Sequence, residues 1–187
     1  MSLLEDFALL GATAVITGIG VPLVKGHMDE RRLAQQRLAE EQLTRDTKFI
    51  ETQAQLLDEL SSTLWDFAGL ALAISYHRTY GSTEQGDQAW KIYDNRSFEM
   101  LTRFRSLVSR AQRLVTPETH AKLTQFFDWW FGEFDPQLST LARGEADTRE
   151  WSAHHDRAQG ELFTRTDAAL DAVASDIGAT RLQRAAA

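Results

Sequence analysis

Proline occurs at only three positions of the 187-residue chain, 22, 117 and 136, so residues 23–116 carry no residue that removes a backbone donor. Proline inside a helix deletes a hydrogen bond and collides with the preceding turn, and its absence leaves long segments free to be helical. Alternating β-branched runs and Asn-Gly hairpin signals are missing as well. The two later prolines follow Thr116 and Asp135, side chains that cap helix starts, with proline at the first helical position. These features predict an all-α chain, with a helix starting at Thr116 and a kink or restart at Pro136.

Helical spacing places the elements. Leu43, Ile50, Leu57, Leu64 and Ala71 recur every seven residues, and Thr47, Ala54, Ser61, Ala68 and Ser75 follow four behind, which reads as a coiled-coil-like seam. Upstream, residues 26–47 are dense in charge, with Leu33, Leu38 and Leu43 five apart and on no common face, so a polar helical stalk is expected. "YGSTEQGDQ", residues 80–88, reads as a loop. A helix then carries Trp90, Tyr93, Ser97, Leu101, Phe104, Val108, Ala111 and Val115 in line, and the helix from Thr116 is expected to end at Gly144. A last helix from about Thr148 to Ile177 aligns Trp151, His155, Ala158, Leu162, Thr166, Ala169, Val173 and Ile177, with Gly178 as its C-terminal cap and residues 179–187 as a flexible tail. Short connections make neighbouring helices antiparallel, predicting an up-down four-helix bundle over residues 48–178.

The start of the chain differs in kind. Residues 7–24, "FALLGATAVITGIGVPLV", hold no charge over eighteen positions, close to the length needed to cross the ~30 Å hydrocarbon core of a bilayer. The acidic start and the lack of a small-residue cleavage site argue against a cleaved signal peptide. Residues 1–25 are therefore expected to form a single transmembrane anchor. No Lys or Arg precedes the run, whereas Lys25, Arg31, Arg32 and Arg37 follow it, which predicts an N-terminus outside and a C-terminal domain in the cytoplasm, at an inner membrane. Ala14 and Gly18 form a small-xxx-small pair suited to close helix approach. Sixteen Arg against four Lys, with abundant Ala, hint at a GC-rich bacterial genome. The stalk's length would hold the bundle roughly 30 Å off the membrane at 1.5 Å per residue.

Chemistry is sparse. With no cysteine, disulfides, thiolate metal sites and cysteine nucleophiles are excluded, and a net charge of -7 opposes binding to nucleic acid. Phosphate-binding glycine loops and nucleophile elbows are absent. Glu150 and His154, one turn apart, are weak candidates for a shared metal ion, more simply read as a surface pair on the flank of the last helix. His155 lies within the apolar stripe and reads as a hydrogen-bonded core residue. Arg96, Arg103 and Arg110 form a basic stripe, more simply a salt-bridged face than a lipid or phosphate site.

One stretch remains, "FFDWWFGEF", with six aromatics in residues 126–134. Phe126, Phe127, Trp130, Phe131 and Phe134 fall within an arc of about 140° at 100° per residue, and are expected in the core against small residues such as Ala54, Ser61 and Ala68. Trp129 lies some 60° outside that arc and is expected to be partly exposed, marking a contact surface. The sequence thus predicts a membrane-anchored, non-enzymatic helical bundle without cofactor that acts through a protein partner or as a homo-oligomer. The alternative is a sensor or effector whose bundle binds a small ligand or metal.

Overall fold

A computed structural model describes residues 21–185 of the chain, with side chains from residue 32 to 183. Residues 7–20 of the expected anchor, including Ala14 and Gly18, lie outside the described residues. Among those described there is no strand, and no helix is long and apolar enough to cross a membrane. The backbone forms four helical rods. The first is α1, Val21–Tyr80, and the second is α2, Thr83–Ala111. The third comprises α3, Pro117–Trp129, a π-helical turn, Trp130–Phe134, and α4, Asp135–Arg143. The fourth comprises α5, Thr148–Arg157, a second π-helical turn, Ala158–Leu162, and α6, Phe163–Ala185.

Local chemistry sets most of these boundaries. Thr116 caps α3, its hydroxyl accepting from the Thr119 amide with Pro117 beside it, and Gly144 closes α4. Gly81 and Ser82 alone join α1 to α2, a shorter connection than the loop expected over 80–88. The reason is a capping box: the Ser82 hydroxyl accepts from the Gln85 amide, and the Gln85 side chain accepts from the Ser82 amide. Gly86 is therefore helical, and it is buried where a methyl group would lie 2.6 Å from Cδ of Arg78. A second capping box, Asp147 with Glu150, starts α5. Gly178 does not cap α6, which continues through it to Ala185. A glycine inside a helix costs only about 1 kcal/mol, and Thr180, Arg181, Leu182 and Gln183 beyond it carry no stop signal.

Packing divides the chain between Lys48 and Phe49 into two units. In the first, residues 32–45 are exposed, and Leu33, Leu38 and Leu43 each show more than half of their surface. Of the expected seam, Leu43 in the first unit is exposed and Ile50 and Leu57 in the second are half-buried, while Leu64, Ala68, Ala71 and Ser75 are fully buried; Gln53, Leu56, Leu60, Thr63, Phe67 and Ile74 share that buried face. A helix enclosed by several others buries a broader arc than a two-helix seam, so residues beside the heptad positions turn inward as well. The last rod keeps its predicted register, with every residue of the expected stripe from Trp151 to Ile177 buried.

Contacts between rods pair α1 with α2 through Asp66–Arg96 at 3.4 Å and Glu59–Arg110 at 3.1 Å, and α1 with the turn after α2 through Gln53 Nε2 donating to the Leu114 carbonyl at 2.5 Å. The basic stripe thus has two of its three arginines in ion pairs with α1. Trp130 sits at the centre with no exposure, its ring 5.0 Å from Phe67, 5.4 Å from Phe134 and 5.9 Å from Phe126. It is met by a large ring on α1, not by the small residues expected: Ala54 and Ser61 are only half-buried, and Ala68 alone is fully buried.

Truncating this centre has a stated cost. Phe67→Ala should destabilise the domain by about 3–5 kcal/mol, as expected for a buried aromatic, whereas Phe98→Ala, at a residue 78% exposed, should stay within about 0.5 kcal/mol. Urea unfolding followed by circular dichroism checks both; equal effects would show that the core is misplaced.

Candidate functional site

The six aromatics separate differently from the expected arc. Trp129, expected to be partly exposed, is 8% exposed, less than the half-buried Phe127 and Phe131. The correction has a structural cause: the flank carrying Trp129 faces α6, where the Arg165 guanidinium lies 4.5 Å from its ring centre. Phe126, Trp130 and Phe134 close the remaining sides, at 5.9, 6.5 and 5.4 Å. With Arg165 47% exposed, its charge on the indole face contributes about 0.5–1 kcal/mol, and the flank is held mainly by burial of the ring among its neighbours. Trp129 is not an exposed contact residue.

Both π-helical turns sit beside this cluster, and Arg157 ties them together. Its guanidinium donates to Glu133 of the first turn at 2.6 Å and to Glu161 of the second at 2.7 Å, and also to the Gln137 side-chain oxygen. Burial opposes the charge on Arg157, yet the bonds to Glu161 and Glu133 prevail and raise its pKa. Burial likewise works against an ionised Glu161, but Arg157 and Arg165 hold its carboxyl below the usual range. Each turn has the order Gly-Glu, at 132–133 and 160–161, and a Cβ at either glycine would meet open space. Extra residues in a helix of this kind recur at functional sites, where they re-aim side chains.

Between the third and fourth rods lies a groove of about 610 Å³. One wall presents Gly132, Glu133, Pro136, Gln137, Thr140 and Leu141; the other presents Glu150, Ala153, His154 and Arg157. That volume falls within the range of small-molecule sites. Glu150 is committed at one oxygen, which accepts from the Asp147 amide at 2.9 Å in the capping box. Glu133 has one oxygen on Arg157. His154 is not a surface residue, as expected, but 5% exposed, packed on Phe134 at 5.0 Å and Trp151 at 6.2 Å, and neither ring nitrogen has a hydrogen-bond partner. Burial, then the positive charges of Arg157 and His155, push its pKa down to about 4. No group of three or more His, Asp or Glu side chains among the described residues is placed to hold a metal ion, so Glu150 and His154 gain no third ligand.

Two further polar pairs are buried. His155 Nδ1 lies 3.3 Å from the Ser75 hydroxyl, with the rings of Tyr80 and Tyr76 at 5.4 and 6.0 Å. The Ser75 hydroxyl also lies 3.0 Å from the Leu72 carbonyl, so its one proton serves either that carbonyl or His155 Nδ1 according to the imidazole tautomer. The Tyr93 hydroxyl donates to Asp135, whose carboxyl is raised by burial against the opposing effects of that bond and of Arg143. Nothing in the sequence spacing foretold these pairs, because each joins residues from different rods.

Against known families, characterised proteins and solved structures the chain finds no match. Any role for these residues has to be read from their geometry.

Two measurements test this geometry. The His154 imidazole takes its proton near pH 6.5 when unfolded and near 4 when folded, so the unfolded chain binds it more readily between those values. Stability should therefore fall as pH drops through that window, by about 1.4 kcal/mol per unit and by about 3 kcal/mol in all. His154→Leu should remove that part of the slope in urea titrations at several pH values. Arg157→Met strands Glu133 and leaves Glu161 to Arg165 alone; with Glu133 55% exposed and the guanidinium 23% exposed, water takes up part of the loss, leaving about 1–2 kcal/mol. Glu133→Gln combined with Arg157→Met should cost less than the sum of the two single changes.

Proposed function

We propose that this protein is a membrane-anchored, non-enzymatic helical bundle that works by protein–protein contact, as an accessory or scaffold subunit. Its four rods form an antiparallel up-down bundle. Support for that topology comes from the contacts, which climb one rod as they descend the next: Tyr93 with Asp135 and Phe104 with Phe127 between the second and third, Thr116 with Asp176 and Trp129 with Arg165 between the third and fourth. Residues 7–24 span the inner membrane once, with the N-terminus outside and the C-terminal domain in the cytoplasm, on the strength of the uncharged run and the Lys25, Arg31, Arg32 and Arg37 that follow it. Ala14 and Gly18 supply the close approach if two anchors associate.

The observation that carries the interaction role is the state of α1 over residues 32–45: a helix exposed along its length, with Leu33, Leu38 and Leu43 at 54%, 60% and 69% exposure. These three side chains are large apolar surface that the described part of the first unit leaves in water, and a second chain that covered them would remove it. A second reading, a ligand-binding sensor or effector, is favoured by the groove beside His154.

The test has two parts. Membranes washed with alkaline carbonate should retain the full chain, and release of the protein would remove the anchor. Crosslinking from native membranes should capture a second chain through residues 32–45, and Leu38→Glu with Leu43→Glu should abolish the capture while leaving the bundle's melting temperature unchanged. Capture undiminished by those changes would place the interface elsewhere.

A further inference from the structure

The chain carries a net charge of -7, yet residues 100–116 hold four arginines and no Asp or Glu. Arg110 is committed to Glu59 of α1 at 3.1 Å, and nearer the start of α2 Arg96 is committed to Asp66 at 3.4 Å. Arg103, Arg105 and Arg113 are exposed and have neither an ion pair nor a side-chain hydrogen bond among the described residues. The stretch therefore makes a positive field on a molecule that is acidic as a whole.

An apolar contact stands beside these charges. Phe98 is 78% exposed, the most exposed large apolar side chain among the described residues. Phe98, Thr102, Arg105 and Ser109 follow at steps of four, three and four, so they share an arc of about 60° on α2, and all four are exposed. Alongside runs a groove of about 590 Å³ between α1 and α2, with the buried Leu107 at its floor and Phe98, Thr102, Arg103 and Ser106 along one wall. Glu59 in the other wall is already held by Arg110, which leaves Glu99 as the one unpaired acid of the lining. Arginine and aromatic side chains are enriched where proteins meet, and complementary charge selects the partner.

We infer that this side of α2, from Phe98 to Arg113, docks an acidic helix of another protein. Its carboxylates lie against Arg103, Arg105 and Arg113, and one of its apolar side chains sits in the groove against Phe98 and Leu107. The inference rests on the first reading above, that the protein works by protein–protein contact, and adds a surface of stated chemistry away from residues 32–45. A basic partner would be repelled here, and a wholly apolar one would cover three cations without pairing them. An anionic bilayer offers the right charge, but the expected stalk would hold the bundle roughly 30 Å from it, several times the ~8 Å screening length at physiological salt.

Three helical peptides of about fifteen residues, ~22 Å long and so matched to the stretch, test the proposal: one of Leu and Glu on opposite faces, one with Lys for Glu, and one with Ala for Leu. Each is titrated into the labelled full chain in phosphatidylcholine nanodiscs and followed by amide NMR shifts. The Leu–Glu peptide should give saturable shifts confined to residues 98–113 and the facing part of α1, the Ala–Glu peptide should bind about 10-fold more weakly, and the Leu–Lys peptide not at all. Arg105→Gln with Arg113→Gln should weaken the Leu–Glu peptide about 10-fold and Phe98→Ala about 5-fold, with the melting temperature unchanged because all three residues are exposed. Equal binding of the Leu–Lys peptide, or Leu–Glu binding indifferent to these substitutions, would overturn the assignment. Shifts at the same amides on replacing phosphatidylcholine by phosphatidylglycerol, without peptide, would give the face to anionic lipid instead, and self-association abolished by Phe98→Ala would give it to a second copy. Crosslinking through residues 32–45 tests the broader reading separately, so loss of peptide binding with that capture intact would remove this surface alone.

Discussion

A tryptophan with no solvent exposure has to be met on every side, and in this chain the enclosure of Trp130 recruits three of the four rods. Phe67 reaches it from α1, Phe126 and Phe134 from its own rod, and the Tyr93 hydroxyl that bonds Asp135 anchors α2 nearby. Burying this much aromatic surface contributes more than any ion pair on the outside of the domain. It also dictates backbone shape. Phe126, Trp130, Phe134 and Leu138 are all buried at intervals of four, and in a regular helix each such step drifts about 40° round the axis. The wider turn at Trp130–Phe134 absorbs the drift and keeps all four on one face.

The same device recurs across the interface. Ala158, Leu162 and Thr166 are buried at intervals of four, and the second π-helical turn covers the first two. Each turn carries a glutamate outward, and Arg157 binds both. The groove, the unpaired His154 and the cation-covered Trp129 thus follow from the packing demand at the centre. Core shape and candidate site are linked because the turns that correct the register also splay the neighbouring side chains.

Much of this was open to reading from the residues. The cap-and-proline pair at Thr116, the end at Gly144 and the complete buried stripe from Trp151 to Ile177 follow from rules that act within one helix, whereas Asp135, read as a second cap, lies inside a continuous helical rod and accepts from the Tyr93 hydroxyl instead. What sequence reasoning missed involves neighbours. Trp129 was assigned to the surface because a helical wheel assumes one buried face, whereas the helix is covered on two sides. The seam is buried at Leu64, Ala68, Ala71 and Ser75 but not at Leu43, Ile50 or Leu57, and Leu56, Leu60 and Phe67 beside it are buried too, because enclosure by other rods widens the buried arc beyond what heptad spacing shows. His154 looked like a surface partner of Glu150 because burial by Phe134 and Trp151 is not visible in spacing. Two signals were present and unused: the repeated intervals of four that mark π-helical turns, and the Ser82–Gln85 and Asp147–Glu150 capping boxes.

Amide hydrogen exchange on the folded protein tests the central claim most directly, that the aromatic stretch is the hub of the domain and not a contact surface. The account predicts that amides of Phe126–Phe134 and of Leu60–Phe67 exchange only through global unfolding, as the slowest in the chain, while those of residues 32–45 exchange orders of magnitude faster. Exchange across Phe126–Phe134 as fast as in residues 32–45 would contradict it.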